Sequence, residues 1–142
     1  MFIKNIIQHK GSDVISVEPN CSVRDVTRLL AERRIGAVLV KKGDKLVGVL
    51  SERDVVRGVA ISGGEILDDS VESLMTKTIV TCTLNQHVNE ILSLMTERRI
   101  RHLPVLEDGK LVGMISIGDL VHARINEVEQ EADALKTYIA SA

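Results

Sequence analysis

Lys45-Leu46-Val47-Gly48-Val49-Leu50-Ser51-Glu52-Arg53-Asp54 returns further along the chain as Lys110-Leu111-Val112-Gly113-Met114-Ile115-Ser116-Ile117-Gly118-Asp119. Working outward, residues 14–56 can be laid on residues 79–121 without a gap, with about a third of the positions identical, which marks an internal duplication. A second block, Glu32-Arg33-Arg34-Ile35, recurs as Glu97-Arg98-Arg99-Ile100. A drifting core would keep only apolar positions. Here a Gly, a Ser and an Asp hold their spacing as well, so function is to be sought in what the pair creates.

Each copy reads as β-α-β-β-α. In the first, Val14-Ile15-Ser16-Val17 is a short β-branched strand stopped by Pro19-Asn20, and Ser22 opens a helix with apolar positions Val23, Val26, Leu29 and Leu30. Ala37–Val40 and Leu46–Leu50 then flank a Gly-bearing hairpin loop, and Ser51 starts a second helix through Val55, Val56 and Val59. In the second copy the strand is Ile79-Val80-Thr81-Cys82 and the helix carries Val88, Ile91, Leu92 and Met95. Its hairpin strands run over residues 102–106 and 111–116 around Asp108-Gly109. The expected fold class is α+β, two repeats related by pseudo-two-fold symmetry. Repeat 1 spans residues 6–62, a linker covers 63–70 with the flexible-looking run Ser62-Gly63-Gly64-Glu65 across its boundary, repeat 2 spans 71–124, and an amphipathic helix covers 125–142. In that last helix Ile125, Val128, Ala132, Leu135 and Ile139 form one stripe, which either packs on the body or serves as a dimer-stabilising arm.

Composition narrows the function. The 142 residues are 44% hydrophobic, enough for one shared core, whereas a single repeat of roughly 60 residues is marginal alone. A net charge of −2 and a pI near 6.1, without a cluster of Lys and Arg, argue against nucleic acid. The apolar runs are strand-length and the N-terminus lacks a signal-peptide core, so a soluble cytoplasmic protein with no membrane partner is expected. Cys21 and Cys82 sit at non-equivalent places and are expected as buried or half-buried free thiols. They have no basic partner that would activate them. His9, His87 and His122 lack metal-like spacing. The chain therefore reads as having no metal site and no catalytic residue.

A pair of β-α-β-β-α units that each end in Gly-x-x-Ser-x-x-Asp, here Gly48-Ser51-Asp54 and Gly113-Ser116-Asp119, resembles a tandem cystathionine-β-synthase-type (CBS) domain pair, the Bateman module. The resemblance covers about residues 6–124 and is closest to small stand-alone bacterial members. It implies a non-enzymatic regulatory module that binds AMP, ADP, ATP or NAD(H), or else S-adenosylmethionine, in clefts between the repeats. It also implies a disc-like homodimer and an unidentified regulated protein. The competing reading is a structural dimerisation or scaffold module with empty clefts.

The candidate site residues follow from the resemblance and from what each group can do. One carboxylate accepts hydrogen bonds from both hydroxyls of a ribose, and Asp54 and Asp119 stand where the family places it. Ser51 and Ser116 open helices, where a hydroxyl and free N–H groups meet a phosphate. Ser-x-x-Asp is also the pattern of a capping box, so a purely structural role competes for the same residues. Gly48 and Gly113 leave room for another backbone or a ligand. Arg101 and His102 are candidate phosphate donors, and their counterparts in the first copy are only Gly36 and Ala37. The alternative for these two is a plain surface strand, in which Pro104 marks an edge or irregularity.

Arg53 has no second-copy equivalent, Gly118 taking its place. The Arg pairs closing each first helix, Arg33-Arg34 and Arg98-Arg99, suit the helix dipole. Ile35 and Ile100, with Val38 and Leu103, are candidate walls for a purine or ordinary core. The segments ahead of each first strand, Gly11-Ser12-Asp13 and Thr76-Lys77-Thr78, are where the family reads the adenine edge through backbone groups. The unequal basic groups suggest two inequivalent sites, or one dinucleotide spanning both.

Overall fold

The computed structural model describes residues 1–141, and the chain divides into two compact units: Val14–Val80, and Met1–Asp13 together with the chain from Thr81 onward. In chain order the elements are α1 (Ile3–Lys10), β1 (Ser16–Val17), α2 (Val23–Arg33), β2 (Ala37–Lys42), β3 (Lys45–Ser51), α3 (Glu52–Ser62), β4 (Cys82–Thr83), α4 (Val88–Arg98), β5 (His102–Glu107), β6 (Lys110–Ser116) and α5 (Ile117–Ser141). Two short 3-10 turns, Gly64–Asp68 and Val71–Ser73, follow α3.

In the unit Val14–Val80, β2 is the middle strand, parallel to β1 and antiparallel to β3. Ala37, Val38, Leu39 and Val40 are all fully buried, so both faces of β2 are covered and the run reads as continuously apolar. Helix α2 begins where the Ser22 hydroxyl accepts the Asp25 N–H at 3.1 Å, and it turns Val23, Val26 and Leu30 inward. Helix α3 runs through Val55, Val56 and Val59 as expected and buries Val55 and Gly58, while Val56 and Val59 are exposed. Gly58 is the reason the next segment can dock: a Cβ there would lie 2.7 Å from Ile66 Cδ1 and 2.8 Å from Leu74 Cδ1. Residues 63–70, expected as a flexible linker, thus hold a 3-10 turn whose Ile66 is part of the core beside Val71.

The other unit repeats the plan with β5 between β4 and β6. Pro104, which the surface-strand alternative reads as marking an edge or irregular strand, is buried in this middle strand, just ahead of a register shift between Val105 and Leu106. Its counterpart Leu39 donates its N–H to Ile15 on the β1 side at 3.1 Å, a bond that Pro cannot make. Accordingly the parallel ladder starts one position later, at Cys82 opposite Val105, where the first copy already pairs Ser16 with Leu39. The first strands are also shorter than the sequence suggests, two residues each.

Helix α1 was not legible as an element, yet it supplies buried Ile3, Ile6 and Ile7 to this unit. Ile3 N–H donates to Gln86 O and Val88 N–H to Met1 O, both at 3.0 Å. In the first unit Val23 N–H likewise donates to Asp69 O at 2.9 Å and Val71 N–H to Cys21 O at 2.8 Å. Each unit therefore contains the segment that precedes the other repeat's first strand. Helix α5 runs unbroken for 25 residues, about 37 Å at 1.5 Å per residue, so the helix expected from residue 125 is a continuation of the repeat's last helix. It buries Leu120 and Ala123, whereas Ile125, Val128, Leu135 and Ile139 of the stripe are exposed.

Candidate functional site: two capped carboxylates

Strand β3 ends at Ser51, which caps α3. Its hydroxyl accepts the Asp54 N–H at 3.2 Å, and Asp54 Oδ2 accepts the Ser51 N–H at 2.9 Å and the Ser51 hydroxyl at 3.0 Å. The capping box weighed from sequence is present, and it uses one carboxylate oxygen. A carboxylate has about four acceptor positions, so capping does not exhaust it. Asp54 Oδ1 faces Thr76, whose hydroxyl donates at 3.5 Å, the long limit of a hydrogen bond. Thr76 is held there by backbone bonds with Val49 in both directions, at 2.9 and 3.0 Å. Glu52 N–H donates to Gly36 O at 2.9 Å and Ala37 lies opposite Ser51, which places both beside the same junction.

The second junction has the same cap. Ser116 N–H donates to Asp119 Oδ2 at 2.9 Å and Asp119 N–H to the Ser116 hydroxyl at 3.2 Å. Ile117 N–H donates to Arg101 O at 2.8 Å, and His102 pairs with Ser116 across the sheet. What differs is Lys10, at the end of α1. Its Nζ donates to Asp119 Oδ2 at 2.6 Å and to Met114 O at 3.0 Å. Burial pushes the Asp119 carboxyl up, but the Lys10 hydrogen bond, the Ser116 N–H and the Lys10 charge together hold it below the usual carboxylate value.

The predicted residues sort into two sets. Ile35, Gly36, Ala37, Ser51, Arg53, Asp54, Lys77 and Thr78 belong to the unit Val14–Val80, while Ser12, Asp13, Ile100, Arg101, His102, Pro104, Ser116 and Asp119 belong to the other. Lys77 and Thr78 thus stand with Asp54 of the first repeat, and Ser12 and Asp13 with Asp119 of the second. Arg53, Arg101, Ser12, Asp13, Lys77 and Thr78 are solvent-exposed. Ile35 and Gly36 line a cavity of about 500 Å³ with Thr27, Leu30, Arg34, Glu52 and Val55, on a lining that does not include Asp54.

The space over each repeated glycine is filled by a side chain rather than a backbone or an open ligand approach. A Cβ on Gly48 would stand 2.8 Å from Met75 Cγ, and one on Gly113 2.8 Å from Ile7 Cδ1. The second arginine of each repeated pair has a specific backbone role. Arg34 and Arg99 end α2 and α4 in the left-handed conformation, with φ of 53° and 55°.

Cys82 is buried and its thiol is pushed up to about 12 by burial; Cys21 is half-buried, its thiol raised by burial and by nearby Asp25. Both are free thiols. Among the described residues no group of three or more His, Cys, Asp or Glu could hold a metal, and no helix is long and apolar enough to cross a membrane. Sequence reasoning missed Lys10; the available signal was a cation next to Gly11, a helix-ending pair whose target lies far along the chain.

Two β-α-β-β-α units, each holding an Asp at a strand-to-helix junction, define a duplicated α+β module. The chain belongs to the CBS domain family, which it matches over residues 3–61 and 71–126. It is 36% identical to the mitochondrial CBS domain-containing protein CBSX3 of Arabidopsis thaliana, over 96% of this chain and 71% of that protein. Among solved structures, a CBS-domain protein of Agrobacterium tumefaciens is 41% identical with a TM-score of 0.86, covering 87% of this chain and 99% of that one. A CBS domain protein of Pyrobaculum aerophilum, solved as a complex with AMP, is 26% identical with a TM-score of 0.73, over 84% of this chain and 89% of that one.

Proposed function

We propose that this protein is a non-enzymatic regulatory module that binds an adenine nucleotide, AMP, ATP or NAD(H), with Asp54 and Asp119 accepting the ribose hydroxyls. The observation that carries the reading is the second oxygen of each junction. Capping falls on Oδ2 in both units, which leaves Oδ1 with acceptor capacity for a diol, met at Asp54 by the long Thr76 contact alone among the described residues. Arg101 and His102 beside Ser116, and Arg53 beside Ser51, are the cations and donors for phosphate. The AMP complex of the Pyrobaculum relative supports the same ligand class.

The module acts as a homodimer. On α5, Val121, Ile125, Val128, Ala132, Leu135 and Ile139 follow one another at steps of four and three residues, the seam spacing of paired helices, and all are exposed. Ligand occupancy then biases the shape read by a regulated protein only to the extent that one arrangement binds it more tightly. The scaffold reading draws on the caps themselves, since each Asp already has a structural task.

A thermal-shift panel of AMP, ATP, NADH and S-adenosylmethionine separates the two. The sensor raises the melting temperature with at least one of the first three. No shift with any ligand, together with a lowered melting temperature in Asp54→Ala, favours the scaffold.

A further inference from the structure

Met114 is the second-copy equivalent of Val49, and Asp119 of Asp54. At the first junction both are met by Thr76: its N–H donates to Val49 O at 2.9 Å and its hydroxyl reaches Asp54 at 3.5 Å. At the second junction both are met by one ammonium, Lys10 Nζ, 3.0 Å from Met114 O and 2.6 Å from Asp119 Oδ2. A neutral backbone with a hydroxyl has been replaced by a mobile cation. Among the described residues, Lys10 is the one charged group hydrogen-bonded to Asp119.

From this replacement we infer that Lys10 is a specificity-determining residue that makes the Asp119 site select phosphate-bearing nucleosides over neutral ones. The inference rests on the proposal that Asp119 reads ribose. A ribose that sets one hydroxyl on each carboxylate oxygen takes Oδ1 and competes for Oδ2, where Lys10 and the Ser116 N–H already donate, so the ammonium must give up its charge-assisted bond. A phosphate on the ligand offers the displaced cation a new anion, within reach of its flexible four-carbon stem. A neutral nucleoside offers nothing, so the lost pair counts fully against it. Lys10 side-chain exposure of 40% leaves it free to swing, and Asp119 at 26% is still accessible to a ligand. Among the described residues the first site has no such cation on its carboxylate, which is met by Thr76 and Ser51.

The test uses the full chain carrying Asp54→Asn, which silences the first site while Asn retains a capping acceptor. Affinities for AMP and adenosine are measured by calorimetry with and without Lys10→Met. Removing Lys10 is expected to weaken AMP and strengthen adenosine, lowering the AMP-to-adenosine preference by about tenfold, the worth of one charge-assisted hydrogen bond. Opposite movements are the signature. If both ligands weaken together Lys10 is merely structural, and if the preference stays constant it selects nothing; either result overturns the inference. Binding that survives in Asp119→Asn but is absent in Asp54→Asn overturns it while keeping nucleotide binding at Asp54. Absence of binding in every form, including wild type, removes the underlying ribose reading itself. Carboxyl NMR needs no ligand: Asp119 must titrate below the usual carboxylate range and return toward it in Lys10→Met, and a wild-type Asp119 at the usual value removes the contact on which the inference stands.

Discussion

Asp119 does two separable structural jobs, and a pair of substitutions should split them. Asp119→Asn keeps an oxygen for the Ser116 N–H, which Asp119 Oδ2 accepts at 2.9 Å, but removes the charge that Lys10 meets at 2.6 Å. Both side chains are partly exposed, so the pair is treated as a screened surface bridge worth about 0.2–1 kcal/mol. Asp119→Ala also removes the acceptor of the Ser116 N–H, while the Ser116 hydroxyl keeps the residue-119 N–H, a further loss of about 0.5–1.5 kcal/mol. Urea unfolding at neutral pH should therefore rank wild type above Asn above Ala.

The pH dependence has a fixed sign. The folded carboxyl titrates below its ordinary value of 3.8, so its contribution is fully present above that value and is lost as pH falls through the lower folded value. The gap between wild type and Asp119→Asn should be constant from pH 7 to 5 and close below about pH 3.8. Equal destabilisation by Asn and Ala at neutral pH, or a gap that persists undiminished in acid, would refute the division of labour.

Three further outcomes follow from the packing. Gly113→Ala places a Cβ 2.8 Å from Ile7 Cδ1 and should cost about 1–3 kcal/mol, with Ile7→Val in the same chain recovering part of it in a denaturation cycle. Arg99, at φ 55°, should tolerate Gly with little change in melting temperature, whereas a β-branched Val there should cost about 1–2 kcal/mol. Under native conditions at pH 8, Cys21 should alkylate faster than Cys82, whose thiol is buried and pushed up to about 12; mass-spectrometric mapping that finds the reverse order contradicts the burial assigned to β4.

The repeat was legible because its local chemistry is self-contained. Ser51 and Asp54, three apart, define a cap without any distant partner, and so do Ser116 and Asp119. The hairpins are equally local, with Asp108 and Gly109 both at positive φ in the second turn. What sequence did not disclose depends on partners remote in the chain. The eight residues of α1 gain their reason from remote partners such as Leu84, Gln86 and Gly113, and Lys10 from Met114 and Asp119. Val56 and Val55 are chemically alike, and only the rotation of α3 sets one outward. Pro104 is tolerated in a middle strand because its missing N–H matters on one side of the strand, and that side carries a ladder already short.

The central claim is that Asp54 and Asp119 are ligand-reading carboxylates and not caps alone. It is tested most directly by titrating AMP calorimetrically into wild type and into the double variant Asp54→Asn/Asp119→Asn. Saturable binding to wild type is expected, with its loss in the double variant while the melting temperature stays near that of the unliganded wild type. Undiminished AMP binding by the double variant would contradict it.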